Sequence, residues 1–501
     1  MKQYLSVVVK PTLRCDTSCR HCYHPPEERV GGEMSLKTVD RLMELVAEEY
    51  EAAWFVWHGG EPLLLPMSFY KGAIELEEKH FGKDTYRVGN TIQTNGLNLS
   101  RRMMAYCRQK QINIGVSYEG PYNGVLREGD VAKAIASLSD KDNKHSASST
   151  ISAGTALRQK EIYRYFRDKG TDVSFSPVIP AGCGRTSGTV PDPDEYIRGS
   201  IEAFDDWLTD SETTIPLIPH YLYMLNYLGE PVSSDCAHTS CLTKWICVNP
   251  DGTVYPCAKA CPREFAMGNI NEAGSISELF RSEGFANILR GSIERRQKCM
   301  SCEIYGYCNG GCSMDFYHEC GLENNTGDSC RIYKEIFKHV STETQRILDE
   351  KPDMGRYNRF VRDAVIGKLV NPKVVSQRRG VAHGRLRRIE RPVRRVRQEK
   401  VLRRPLRIPR LRDRGDDARQ RVLQRPLREG EGGVRLQVPQ AGHRSPQSTG
   451  ALAARASGVP RRRPLRGVQR QEVLRGPGRK KRIGDLPPPQ GRGQLHVPVR
   501  G

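Results

Sequence analysis

Along the first 180 residues, short runs rich in β-branched and aromatic side chains alternate with stretches whose apolar positions recur every three or four residues. The short runs predict strands over residues 4–10, 53–58, 86–94, 112–117, 146–152 and 172–178. Ser35 is a natural N-cap for a helix that places Leu36, Val39, Leu42, Met43 and Val46 on one face. A second helix is expected over 155–169, stopped by Gly170. Six β/α units in succession predict an α/β fold with a parallel sheet, either open or closed part-way as a partial (β/α)6 barrel. Right-handed crossovers would gather the loops after the strands on one face.

The texture changes after Pro180. Helices are expected over 194–208 and 221–228, followed by a cysteine-rich region from Cys236 to Cys330. Inside it, Asn249-Pro250-Asp251-Gly252-Thr253-Val254-Tyr255 predicts a hairpin turn between short strands, bringing Cys257 back toward an earlier loop. A last helix is predicted over 331–348. The expected domains are 1–230, an α/β core; 231–350, a small Cys-rich C-terminal domain; 351–377, a linker; and 378–501, a basic tail.

Composition sharpens the last boundary. The 501 residues carry a net charge of +21, which alone would point to a polyanion partner. From Arg378 onward there are 32 Arg and 3 Lys against 9 acids, a net +26, which leaves −5 for residues 1–377. All 16 Cys lie at or before Cys330, and all aromatic residues at or before Phe360. A tail dense in Arg, Pro and Gly buries too little apolar surface to offset its ordering entropy, so it is expected to be disordered. The same composition results when a GC-rich gene is read out of frame, and a frameshift near residue 377 is the favoured expectation. A genuine basic tail is the alternative, and the nucleotide sequence decides between them. Val401-Leu402-Arg403-Arg404-Pro405-Leu406-Arg407 recurs as Val422-Leu423-Gln424-Arg425-Pro426-Leu427-Arg428, without a spacing that supports a repeat fold.

No run of 18 apolar residues suggests a membrane span, and the first ten residues read as a strand, not a secretory signal. A cytoplasmic location follows, where 16 Cys favour metal or cluster ligation over a disulfide framework.

Cys15, Cys19 and Cys22 lie within eight residues directly after the first strand. Thiolates suit zinc or iron–sulfur clusters, and a structural zinc site wants four ligands where this loop has three. Three ligands on a four-iron cluster leave one iron open for a small molecule. This Cys-x3-Cys-x2-Cys resembles the signature of the radical S-adenosylmethionine superfamily. Further matches follow in order at successive strand ends: Gly59-Gly60-Glu61-Pro62, Gln93-Thr94-Asn95-Gly96, and Ser117-Tyr118-Glu119-Gly120-Pro121, with Glu119 where the family usually has Asp. The resemblance implies that Cys15, Cys19 and Cys22 hold a [4Fe-4S] cluster. It further implies that S-adenosylmethionine lies against Gly59, Gly60, Glu61, Asn95, Ser117, Glu119, Arg127 and Tyr23. Glu61 would meet the methionyl ammonium, Ser117 and Glu119 the ribose, and Arg127 the carboxylate. His21 and Tyr23 flank Cys22, where they would shield the cluster or the adenine.

A second cysteine group adds to this. Cys241 is followed by ten residues, Gly252, four residues and Cys257; then come Cys299, Cys302, Cys308, Cys312 and Cys330. This resembles the SPASM extension, which holds two auxiliary [4Fe-4S] clusters in peptide-modifying radical enzymes. Carried over, one cluster would use Cys236, Cys241, Cys257 and Cys312, and the other Cys299, Cys302, Cys308 and Cys330. Cys247, Cys261 and Cys320 are surplus and could each replace a ligand, Cys236 being the one most open to replacement. A zinc ribbon over 299–312 is the bland alternative. Cys107 reads as helix core, and Cys183, in Ala181-Gly182-Cys183-Gly184, is left open.

The layout is similar to anaerobic sulfatase-maturating enzymes and to peptide maturases. It implies a peptide or protein substrate, modified by formylglycine formation or by thioether or carbon–carbon cross-linking. A flavodoxin- or ferredoxin-like reductant is implied too. Cys15 lies so near Met1 that a precursor peptide would need a separate peptide-recognition protein or a different binding surface. One departure stands out: the sulfatase-maturating group has an aspartate directly after the Cys of Gly-x4-Cys, a proposed general base, where this chain has Ala258. The other readings are a basic nucleic-acid-binding or RNA-modifying protein, which leans on the tail alone, and a non-catalytic electron-transfer protein.

Overall fold

Strand β1 (Lys2–Thr12) withdraws Leu5, Val7 and Val9 completely from water on one face, as the alternation of its sequence requires. The structure, a computed structural model, describes residues 2–29, 31–83, 87–126, 128–131, 145–230, 241–259, 262–350 and 352–370. Arg127, Cys236, Cys261, the start of the expected Cys-rich domain at 231–240 and the whole tail lie outside the described residues.

β2 (Tyr50–Gly59), β3 (Val88–Thr94), β4 (Asn113–Ser117), β5 (His145–Ile151) and β6 (Asp172–Pro177) follow β1 in order across one parallel sheet, and the short β7 (Leu217–Ile218) closes that side. The six expected strands are all present, each within three residues of its expected ends.

The crossover helices form where the sequence caps them. The Ser35 hydroxyl accepts from Thr38 N at 3.1 Å at the start of helix Leu36–Glu49, and Ser100 does the same for Met103 N ahead of Arg101–Gln109. Gly170 ends helix Gln159–Lys169 in the left-handed region, at φ 64°. Val39, Leu42, Met43 and Val46 are fully buried, whereas Leu36, on the first turn of its helix, is 39 % exposed.

A parallel sheet normally buries both faces and is apolar on both. Here the second face is apolar only around β1 and β2, where Val8 sits beside Val56, and turns polar from β3 to β6. Phe55, Trp57, Ile92, Ile114, Val116, Val173 and Phe175 continue the apolar face of β1. The registers put Thr91 beside Asn113, Ser117 beside Ser148, Ser148 beside Ser174 and Thr150 beside Ser176 on the other face. A polar sheet face of this kind lines a cavity instead of a core.

The sheet does not stop at the expected boundary near residue 230. β8 (Trp245–Val248) pairs in parallel with β1, setting Ser6 against Trp245 and Val8 against Cys247. β9 (Thr253–Tyr255) and β10 (Gly268–Asn269) continue it antiparallel. The turn at 249–252 is the expected hairpin, with Gly252 at φ 86°. Where a linker was expected, Asn358 caps helix Arg359–Val370, with Asn358 Oδ1 accepting from Val361 N at 3.0 Å. Tyr357, Val361 and Val365, four residues apart, are buried, so this segment packs on the core.

Candidate functional site

The loop after β1 carries Cys15, Cys19 and Cys22, all half-buried. The Thr17 hydroxyl lies 3.2 Å from Cys15 Sγ and 3.7 Å from Cys19 Sγ, so the turn folds these thiols toward each other. Burial pushes the Cys19 thiol up to about 11, with Cys22, Cys15 and Glu119 adding to it as nearby acidic groups. A metal binds the thiolate, so ligation would displace that proton.

Two glycine contacts hold this loop in place. Gly60 and Glu61, just after β2, lie where the chain meets it: Gly60 N donates to Thr12 O at 3.0 Å and Glu61 N to Arg14 O at 2.8 Å. A Cβ on Gly60 would sit 2.0 Å from Arg14 O and 2.5 Å from Leu13 O. Across the loop, Cys183 N donates to Cys22 O at 2.8 Å, and a Cβ on Gly182 would meet Tyr23 O at 2.3 Å. Neither position admits a side chain.

Glu61 is buried, and its carboxylate accepts from Leu63 N (2.9 Å), the Thr94 hydroxyl (2.7 Å) and Asn95 N (2.8 Å). It therefore clamps the end of β3 to the loop after β2. Three of its roughly four acceptor positions are filled inside the protein, which leaves room for one further donor. Burial still lifts its carboxyl to about 7 against these donors. Asn95 Nδ2 donates to Asp16 Oδ1 at 2.7 Å and Asn98 Nδ2 to Asp16 Oδ2 at 2.6 Å, tying β3 to the cysteine loop as well. Ser117 Oγ accepts from Gln93 Nε2 at 2.8 Å. Glu119 is buried, takes Thr150 N at 3.1 Å and the Asn123 amide, and is pushed up to about 7 by burial.

Tyr23 and two histidines fill the other side. The Tyr23 ring lies 4.5 Å from that of His24 and 6.3 Å from that of His58. Burial raises the Tyr23 phenol, and the nearby acidic groups that add to this are Cys247, Cys22 and Cys257, one side of it being the first cysteine loop and the other the β8–β9 region. Desolvation, helped by Lys10, lowers both His24 and His58 to about 4.

Of the later cysteines, Cys299, Cys302, Cys308 and Cys330 lie within electrostatic range of one another, and Cys312, expected in the other set, lines the same cavity as Cys308 and Cys330. Cys308 is raised to about 12 by burial, then by Cys330 and Cys299, and Cys330 is raised by burial, then by Cys299 and Cys302. The other expected set has Cys236 outside the described residues. Its Cys257 faces Cys247, which is fully buried and raised to about 11. Cys107 is helix core, as expected. Cys183 is held by Arg29 at 3.0 Å, beside Cys22.

A cavity of about 530 Å³ lies on the polar sheet face, lined by Ser174, Ser176, Tyr196, Cys308, Cys312 and Cys330 among others. Lys259 and Asp315 pair at 2.5 Å on its wall. Sequence reasoning missed Lys10, Asp16, Thr94, Asn98 and Asp315. Only Asp16, lying between two motif cysteines, and Thr94, inside a quoted motif, carried a signal.

The residues fit iron–sulfur chemistry: soft thiols in two neighbourhoods, and backbone cradles too tight for a Cβ. Among the described residues no three His, Cys, Asp or Glu side chains gather as a single-ion site. No described helix is long and apolar enough to cross a membrane.

Comparison with known proteins gives the same picture. Residues 9–192 match the Radical SAM superfamily and 236–303 match SPASM, an iron–sulfur cluster-binding domain. The cysteine-type anaerobic sulfatase-maturating enzyme of Clostridium perfringens strain 13 is 25 % identical over 367 residues, 67 % of this chain and 96 % of that protein. The serine-type enzyme of Bacteroides thetaiotaomicron is 24 % identical over 381 residues, 67 % and 89 % of the two chains. Among solved structures, native anSMEcpe with bound AdoMet superposes with a TM-score of 0.59 at 22 % identity, covering 69 % of this chain and 99 % of that one. Streptococcus suis SuiB bound to precursor peptide SuiA gives 0.51 at 15 %, covering 66 % and 76 %. The α/β fold is thus shared with both.

Proposed function

Taking the chain as what its two domains make it, a radical S-adenosylmethionine enzyme with a SPASM extension, we propose that it modifies a peptide or protein by hydrogen abstraction. Cys15, Cys19 and Cys22 would hold the radical cluster. Gly59, Gly60, Asn95, Ser117, Glu119, Tyr23 and Arg127 would border S-adenosylmethionine, with Glu61 fixing the loops around it. When bound, the cluster and S-adenosylmethionine supply a deoxyadenosyl radical. Cys299, Cys302, Cys308 and Cys330 would hold one auxiliary cluster, and Cys236, Cys241, Cys257 and Cys312 the other, with Cys247 a candidate replacement.

The observation that carries this reading is that the motifs ending β2 and β3 are bonded to one cysteine loop, through Gly60, Glu61 and Asn95, in a chain whose separate cavity is lined by the later cysteines Cys308, Cys312 and Cys330. The lining mixes apolar side chains such as Leu222, Phe316 and Ile336 with Ser174, Ser176 and Asp315, which suits a peptide that buries side chains while its backbone keeps polar partners. The named activity of the relatives, sulfatase maturation, is one form of the reaction. Ala258 offers no carboxylate after Cys257, but Asp315, held by Lys259, supplies one in the cavity wall.

The test is anaerobic reconstitution followed by mass spectrometry against peptides encoded beside the gene. Deoxyadenosine release together with a mass change in one peptide is expected. Intact S-adenosylmethionine in a fully loaded, reduced protein would refute the proposal and favour an electron-transfer role.

A further inference from the structure

Lys10 lies near the end of β1 and is only 4 % exposed. Its ammonium donates to the Ala258 carbonyl at 3.0 Å, lies 3.2 Å from His24 Nε2 and 5.7 Å from the Tyr23 ring centroid. The Cys247 thiol lies close enough to feel its charge. Among the described residues no carboxylate forms an ion pair with it. Glu28, an acid within electrostatic range, is engaged with His24 Nδ1 at 3.2 Å.

Burying a cation without a counter-ion costs several kcal/mol. The groups around this one are a carbonyl, a phenol, a thiol and two imidazoles held neutral. None repays that cost as it stands. The Ala258 carbonyl belongs to the residue directly after Cys257. Thiolates gathered on a cluster there would supply the missing negative charge.

We propose that Lys10 is a positioning residue whose fixed positive charge raises the reduction potential of the auxiliary cluster held by Cys257. A reduced cluster carries one more negative charge than its oxidised form, so a nearby ammonium stabilises it when an electron arrives; no bond forms or breaks. The proposal rests on Cys257 as a cluster ligand, which iron content tests separately. About twelve irons per chain support three clusters, and about eight would remove one.

The experiment is a redox titration of the reconstituted holoenzyme followed by electron paramagnetic resonance, on wild type, Lys10→Gln, Lys10→Met and Lys10→Arg. The two neutral variants should lower one midpoint by about tenfold in the reduction equilibrium, about 59 mV for one electron. Lys10→Arg should leave it in place. Gln keeps a donor for the Ala258 carbonyl but not the charge. Full iron with unchanged midpoints in Lys10→Gln therefore overturns the proposal. Should both neutral variants lose iron, an arginine variant that keeps iron and midpoint supports the charge, and one that also loses iron overturns it in favour of a packing role.

Discussion

Replacing Gly60 with alanine tests whether the glycine motif acts by close approach. The added Cβ would stand 2.0 Å from Arg14 O and 2.5 Å from Leu13 O, both backbone atoms with no side-chain freedom to yield. Ordinary contact requires roughly 1 Å more, so the strand-end loop and the cysteine loop must part. Parting strains the bonds from Gly60 N to Thr12 O and from Glu61 N to Arg14 O, at 3.0 and 2.8 Å. Two such bonds are worth about 1 kcal/mol each, and orphaned buried groups add to that, so a loss of about 2–4 kcal/mol is expected. Arg14 adjoins Cys15, so the cluster ligands move too. A shift of about 1 Å in a reacting geometry costs on the order of 10²-fold in rate. The assay is thermal denaturation, iron content and deoxyadenosine release on the reconstituted protein. Gly32→Ala serves as control, since a Cβ there meets nothing within 4 Å. Gly60→Ala with wild-type melting and wild-type deoxyadenosine release would refute the reasoning.

Other consequences can be checked alongside. Glu61→Gln turns a donor toward Asn95 N, so it should cost about 1–3 kcal/mol in urea denaturation, and an unchanged midpoint would contradict the clamp. Glu119, pushed up to about 7 by burial, holds its proton more tightly folded than unfolded, where its value is about 4.3. Its contribution to stability is full below the unfolded value and fades as pH rises to 7, by up to ~3 kcal/mol. Denaturation across that window should show a flatter slope in Glu119→Gln, and parallel slopes would count against it. Joint replacement of Cys15, Cys19 and Cys22 by alanine should drop iron from about twelve to about eight per chain and abolish S-adenosylmethionine cleavage. Asp315→Asn should spare deoxyadenosine formation and reduce peptide modification by about 10²-fold or more, whereas an unaltered product yield would remove Asp315 from the reaction.

Much of this was legible along the chain because the signals are local. Strand periodicity, the Ser35 cap and the Gly170 stop each depend on a few consecutive residues. The helix Arg359–Val370 was missed although seven of its twelve residues are apolar, because its place is set by distant partners, Trp207 and Leu208, whose carbonyls receive Asn358. The motif marks Glu61 as functional, but only the fold shows that three donors from β3 and its own loop also converge on its carboxylate.

The sequence by itself determined where the strands end and which cysteines follow them, because covalent spacing sets what one loop can hold. It also separated the acidic chain of 377 residues from its basic tail, since charge and aromatic content are properties of composition. Only tertiary structure decided which partners meet across hundreds of residues. β8, four residues long, carries no mark of choosing β1, yet that pairing sets Cys247 and Ala258 against Lys10. The physical reason is that a strand's own pattern fixes its faces, whereas its neighbours depend on which edges the rest of the sheet leaves unpaired.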